Sequence, residues 1–126
     1  MTKIRALAIR SRRLANGPAG RIWFAIASLL VRHKQRFAPG LEVPLWLHLG
    51  GQRVTFWVGD PAHLWNLEEV WVDVEYADIG TGDYDTVIDL GANCGAATLW
   101  LAARHPQARI VAVEPLPSNV ALLRRN

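Results

Sequence analysis

A chain of 126 residues that is 51% hydrophobic and 20% charged has an ordinary globular balance and can hold one small domain. Its single cysteine excludes an intramolecular disulfide and fits a reducing, cytoplasmic setting. The net charge of +3 conceals a split, because residues 1–41 carry nine Lys or Arg and no acid, whereas residues 42–126 carry five basic and eleven acidic residues.

The basic arm, residues 1–41, breaks at the turn signal Asn16-Gly17-Pro18-Ala19-Gly20. Before it, Lys3 to Leu14 is compatible with a helix that has no clean apolar face. After it, Ile22 to Val31 is a run of ten residues, apolar but for Ser28, too short for a membrane span, which needs about twenty residues. The run starts late and lacks a clean small-residue cleavage site, which disfavours a signal peptide. Its arginine flanks with Trp23 and Phe24 suit peripheral contact with an anionic membrane, and equally a helix docked on the domain. Docking is the preferred reading, since a run of ten is short for a lone anchor. No readout motif accompanies the charge, so nucleic acid is not an expected partner.

Residues 42–84 are expected to precede the core as a hairpin and a helix. Leu45, Leu47 and Leu49 alternate with Trp46 and His48, and Gly50-Gly51 turns the chain into Val54-Thr55-Phe56-Trp57-Val58. Asp60-Pro61 reads as a helix N-cap followed by proline at the first helical position. That helix is expected to end near Val70 or Val72, with Leu64, Leu67 and Trp71 on its buried face. Tyr76 and the loop Gly80-Thr81-Gly82-Asp83 lead onward. His48 and His63 lack a spacing partner for a metal, and His33 and His105 carry no functional signal.

Residues 85–126 hold the most informative pattern. Thr86 to Leu90 reads as a buried strand with Asp89 near its end, followed by the turn Gly91-Ala92-Asn93-Cys94-Gly95 and a helix from Ala96 to Ala103. Strand, glycine turn and helix together let a backbone approach a nucleotide cofactor, with helix N–H groups aimed at it. About twenty residues on, a second strand, Ile110 to Val113, ends in Glu114, placed to accept hydrogen bonds from both ribose hydroxyls. A dinucleotide fingerprint counted from Gly91 needs glycine at the third position, where this chain has Asn93; the sixth is the permitted Ala96. That glycine admits a pyrophosphate, so its absence argues against a nicotinamide oxidoreductase, the nearest rival enzyme. Cys94 is expected to be a small filler of a variable loop position rather than a nucleophile.

The pattern Asp-x-Gly-Ala-Asn-x-Gly, Asp89 to Gly95, followed by Glu114-Pro115-Leu116-Pro117, resembles class I methyltransferases, and more narrowly the FkbM family. Leu122-Leu123-Arg124-Arg125-Asn126 matches that family's helix end, and Asp60 and Glu75-Tyr76 sit where it has an acid and a Glu-Tyr pair. The resemblance spans roughly residues 42–126 and is specific in its second half. It implies an α/β, Rossmann-like doubly wound fold with S-adenosyl-L-methionine as cofactor, bound by Asp89, Gly91, Ala92, Asn93, Gly95, Glu114 and Pro115. Gly91 and Gly95 would permit close approach, the amides from Ala92 to Gly95 would face the methionyl carboxylate, Asp89 the ammonium and Glu114 the ribose. The implied reaction is O-methylation of a small-molecule or glycan-type acceptor, on a sugar, macrolide or lipid-linked glycan. No residue is identified as its base. A doubly wound domain normally continues past two βα units, so the pattern is expected to be the first part of such a fold, inactive alone. A non-catalytic remnant acting as an interaction piece is the non-enzyme alternative.

Overall fold

The computed structural model describes residues 3–73, 79 and 82–126, and the side chains of residues 3–7 and 35 are outside that description. Helices α1 (Lys3–Leu14) and α2 (Gly17–His33) are followed by a 3₁₀ turn and by strands β1 (Val43–Leu49) and β2 (Gln52–Val58). Helix α3 (Pro61–Trp71) then precedes β3 (Thr86–Leu90), α4 (Ala96–Arg104), β4 (Arg109–Val113) and α5 (Pro117–Arg125). The expected Glu75-Tyr76 pair and the Gly80-Thr81 part of the loop lie outside the described residues. The fold is α/β, with an antiparallel β1–β2 hairpin and a separate parallel β3–β4 pair joined through α4.

The hairpin forms where the alternation predicts. Gly50 and Gly51 have φ of 55° and 82°, the left-handed pair that a two-residue hairpin turn requires. A Cβ on Gly50 would come within 2.5 Å of the Ala103 Cβ, so the turn also presses against the end of α4. Register pairs Val43 with Val58 and Leu45 with Phe56, which puts one apolar face inward. Against that face lies α2, through Phe24, Ala27 and Val31, all buried. Trp23 Nε1 donates to the Pro44 carbonyl at 2.6 Å and its ring stacks on Trp46. The apolar run is therefore a docked helix, and Leu14, Ala15, Phe24, Ala27 and Val31 belong to the common core rather than to a loose arm.

Helix α3 begins as its sequence dictates, with the Asp60 carboxylate accepting from the Ala62 and His63 amides at 2.7 and 3.1 Å. Leu64, Leu67 and Val70 are buried, and Trp71 Nε1 donates to the Ala96 carbonyl at 3.0 Å, tying α3 to the start of α4. Glu68, buried on the same helix, pairs with Arg10 of α1 at 2.8 Å. Burial pushes its carboxyl above the usual glutamate range, and Arg10 pulls it back.

Register pairs Ile88 with Val111 and Leu90 with Val113. The strand expected to be buried, β3, is instead open on one side: Ile88 and Leu90, with Val113 of β4, are exposed, whereas Asp89 is buried. One face of this parallel pair is thus open and apolar, and the other is covered.

The inward and outward faces of α2 should respond differently to truncation. Phe24→Ala is expected to cost about 3–5 kcal/mol in urea unfolding, while Ile26→Ala, on the exposed side, should stay within about 0.5 kcal/mol of the parent. Equal losses would contradict the docking.

Candidate cofactor site

The site is built where β3 hands over to α4. The amides of Gly91 and Ala92 both donate to the Val113 carbonyl, at 2.8 and 3.0 Å, so the loop is anchored on the end of β4. Asn93 has φ of 50° and is the non-glycine residue with positive φ among those described. Asparagine is one of the few side chains that enters this region readily. The loop therefore keeps a glycine-like backbone at the position where the dinucleotide fingerprint has glycine, while adding a side chain that would obstruct a pyrophosphate. The buried Asn93 Oδ1 has no hydrogen-bond partner among the described residues. A buried acceptor without a donor is costly and calls for a partner.

The two loop glycines do different work. At Gly91, φ is 83° and a Cβ would meet nothing within 4 Å, so the backbone there borders open space. At Gly95, φ is 93° and a Cβ would come 2.7 Å from Leu123 Cδ1, so α5 packs directly on the start of α4. With glycine as N-cap, α4 has no side-chain cap, and its first-turn amides depend on other partners. Ala92 is buried at the loop's base and Pro115 is exposed beyond it.

Glu114 stands at the centre of this arrangement. Its Oε2 accepts from the Asn93 amide at 2.9 Å, and its Oε1 accepts from the Leu116 amide at 2.9 Å and from Asn119 Nδ2 at 3.2 Å. A carboxylate offers about four acceptor positions. Three are engaged, so taking both hydroxyls of a ribose requires exchange of one present bond. The Leu116 amide, ahead of the Asn93 and Asn119 donors, holds the carboxyl below the usual glutamate range. Asp89 is buried, and its Oδ2 accepts from Thr98 Oγ1 of α4 at 2.5 Å.

The expected amide cradle is only partly available. Ala92 donates to Val113, Asn93 to Glu114 and Gly95 to the Ala92 carbonyl at 2.8 Å. The loop's N–H groups thus serve its own shape, which follows from the tight turn enforced by the left-handed residues at 91, 93 and 95. Cys94 is buried, donates to Asn66 Oδ1 at 3.7 Å, and is pushed up to about 12 chiefly by burial. It has the character of a packed thiol rather than a nucleophile.

Two residues important to the site, Arg125 and Asn126, lie in the helix end Leu122 to Asn126 that carries the resemblance, but their roles there had no readable sequence signal. Asn126 accepts from the Trp57 amide at 2.6 Å and donates to the Trp57 carbonyl at 3.1 Å and to the Cys94 carbonyl at 2.8 Å. Its amide group mimics a short strand on the edge of β2 and joins the hairpin to the loop. Arg125 lies 3.4 Å over the Trp57 ring and pairs with Glu42. Both act through partners 32 to 83 residues distant in sequence, a separation that no local pattern reports.

A segment of 59 residues is 32% identical to a protein described as Methyltransferase 1 from Beauveria bassiana, covering 47% of this chain and 24% of that protein. A segment of 51 residues is 43% identical to the AMB antimetabolite synthetase AmbE of Pseudomonas aeruginosa, covering 39% of this chain and 2% of that protein. The chain thus matches about a quarter of the first relative's length and a small part of the second. No protein-family profile matches the chain, and no solved structure matches it.

A carboxylate whose bonded form lies below the usual range contributes to folding above its unfolded-state pKa, and that contribution is lost as pH falls through the lower folded value. The Asn93 and Leu116 amide resonances should therefore hold steady while pH falls through the ordinary glutamate range and move only below it. An NMR pH titration checks this. Movement centred within the ordinary range would contradict the assigned bonds.

Proposed function

We propose that the loop 89–95 and Glu114 bind S-adenosylmethionine, and that the chain belongs to the cofactor-binding part of an FkbM-type O-methyltransferase. The observation that carries this reading is the left-handed Asn93, with its amide on Glu114 and its side-chain oxygen buried without a donor. The partial similarity to Methyltransferase 1 supports the same reading. The rival nicotinamide reading needs a pyrophosphate against the third loop position, where Asn93 puts a side chain instead of bare backbone.

When bound, S-adenosylmethionine supplies a methyl group already activated on a sulfonium. The protein's task is then mainly alignment, and positioning of reactants is worth about 7–11 kcal/mol of barrier in favourable cases. Glu114 would orient the ribose through its remaining acceptor position and one exchanged bond. Asp89, anchored by Thr98, places negative charge beside the loop, where the cofactor's ammonium is favoured. The open space at Gly91 admits close approach, and the packed contact of Gly95 with Leu123 keeps the loop from yielding. The acceptor is proposed to be a hydroxyl on a sugar, macrolide or glycan-type molecule. A general base for its proton, worth 10²–10⁴-fold in typical cases, is not identified among these residues.

Calorimetry with S-adenosylmethionine or its demethylated product should show one binding site, weakened roughly five- to hundredfold by Glu114→Ala through loss of a charged acceptor. Binding of NAD with no response to S-adenosylmethionine would refute the assignment.

A further inference from the structure

Helix α2 is apolar on both sides, and the hairpin covers only one. Its inward residues are Phe24, Ala27 and Val31, and its outward residues Ile22, Ile26, Leu29 and Leu30 are 65, 43, 54 and 45% exposed. At 3.6 residues per turn these four fall within about 100° of arc, a continuous stripe rather than scattered exposure. Arg21 and Arg32, both exposed, lie on one flank of the stripe by the same spacing. Trp23, two turns before Leu30 on the other flank, stacks on half-exposed Trp46. Just past the helix, Arg36 and Phe37 are both exposed, Phe37 at 86%.

We propose that the outward face of α2 seats on the headgroup region of an anionic lipid bilayer. Charge complementarity selects this occupant. Residues 1–41 carry nine positive charges and no acid, whereas the rest of the chain has six more acids than bases. An anionic surface therefore attracts the arm and repels the body, presenting the α2 stripe to the lipid. Part of the arm's charge is used internally: Arg10 pairs with Glu68, Arg13 donates to the Val72 carbonyl at 2.9 Å, and Lys34 donates to the Pro39 and Leu41 carbonyls. Arg12, Arg21 and Arg36 are exposed and make no ion pair among the described residues.

A second copy fits this face less well. An isologous contact along α2 would bring the same arginine flank of each copy to the interface with no acid from the arm to oppose it. Four aliphatic side chains also fall short of the roughly 1,600 Å² typical of a stable protein interface, whereas interfacial binding needs only a shallow apolar face beside basic residues. The helix has 17 residues, and no helix among the described residues is long and apolar enough to cross a membrane, so contact is along the surface. This inference does not rest on the cofactor reading.

Co-sedimentation of the full 126-residue chain with vesicles tests it, without cofactor or substrate. The chain is expected to pellet with equal parts phosphatidylcholine and phosphatidylglycerol, not with phosphatidylcholine alone, and to be released by salt. Arg21→Gln and Arg36→Gln should each weaken binding about fivefold, the equivalent of about 1 kcal/mol per basic residue near a charged bilayer. The double variant Ile26→Gln with Leu29→Gln should lose about tenfold or more while keeping the parent's circular dichroism and urea midpoint, because both positions are exposed. Failure to pellet with anionic vesicles overturns the proposal, as does parent-like pelleting of the folded double variant. A concentration-dependent dimer that the double variant converts to monomer would assign the face to a second copy instead.

Discussion

The carboxylate of Glu114 is the point on which the site turns. One side chain at the end of β4 receives the Asn93 amide from the β3–α4 loop and the Leu116 amide from the approach to α5. The neighbouring Val113 carbonyl receives the amides of Gly91 and Ala92. Four N–H groups from two connections thus converge on two consecutive residues, the last of β4 and the one after it. Each is a hydrogen bond of modest net worth, but together they hold the loop in a path with left-handed residues at 91, 93 and 95.

The rest of the fold extends this constraint outward. Leu123 packs where Gly95 lacks a Cβ, so α5 can sit against the loop. Asn126 then carries the loop's position to Trp57 on β2, and Arg125 reinforces the same contact over the Trp57 ring. Behind β2 lies β1, and behind β1 lies α2 with Phe24 and Val31 in the core. A line of packed contacts therefore runs from the basic helix to the β3–α4 loop. Trp71, bonded to the Ala96 carbonyl, supplies a second support from α3. The hairpin and helices ahead of the βα units are thus part of the scaffold that holds the loop.

Legibility in the sequence followed the range of the interactions. The hairpin was readable because period-two leucines and a Gly-Gly turn are local signals, and the cap of α3 because Asp60 bonds amides two and three residues away. The β3 and β4 strands, the glycine turn and Glu114 formed a recognisable string for the same reason. Placement of the Ala92 to Gly95 amides was not readable. Their internal use by Val113, Glu114 and Ala92 depends on how two strands align. The role of Asn126 was equally hidden, since an asparagine at a helix end looks like a solvated cap until the edge of β2 is brought beside it. The sequence showed a largely apolar run in α2, but which of its residues face the hairpin depended on the tertiary packing of Phe24, Ala27 and Val31.

Amide chemical-shift mapping during titration with S-adenosylhomocysteine reports where a ligand sits, and so checks whether the β3–α4 loop and Glu114 hold it. The largest perturbations should fall on Gly91 to Gly95 and on Glu114 to Leu116, with the Asn93 side-chain amide among them. The surface at Asp83, Tyr84 and His105, on the opposite end of the β3–β4 pair, should remain unperturbed. Saturable shifts confined to that opposite end, with the loop unchanged, would contradict that placement.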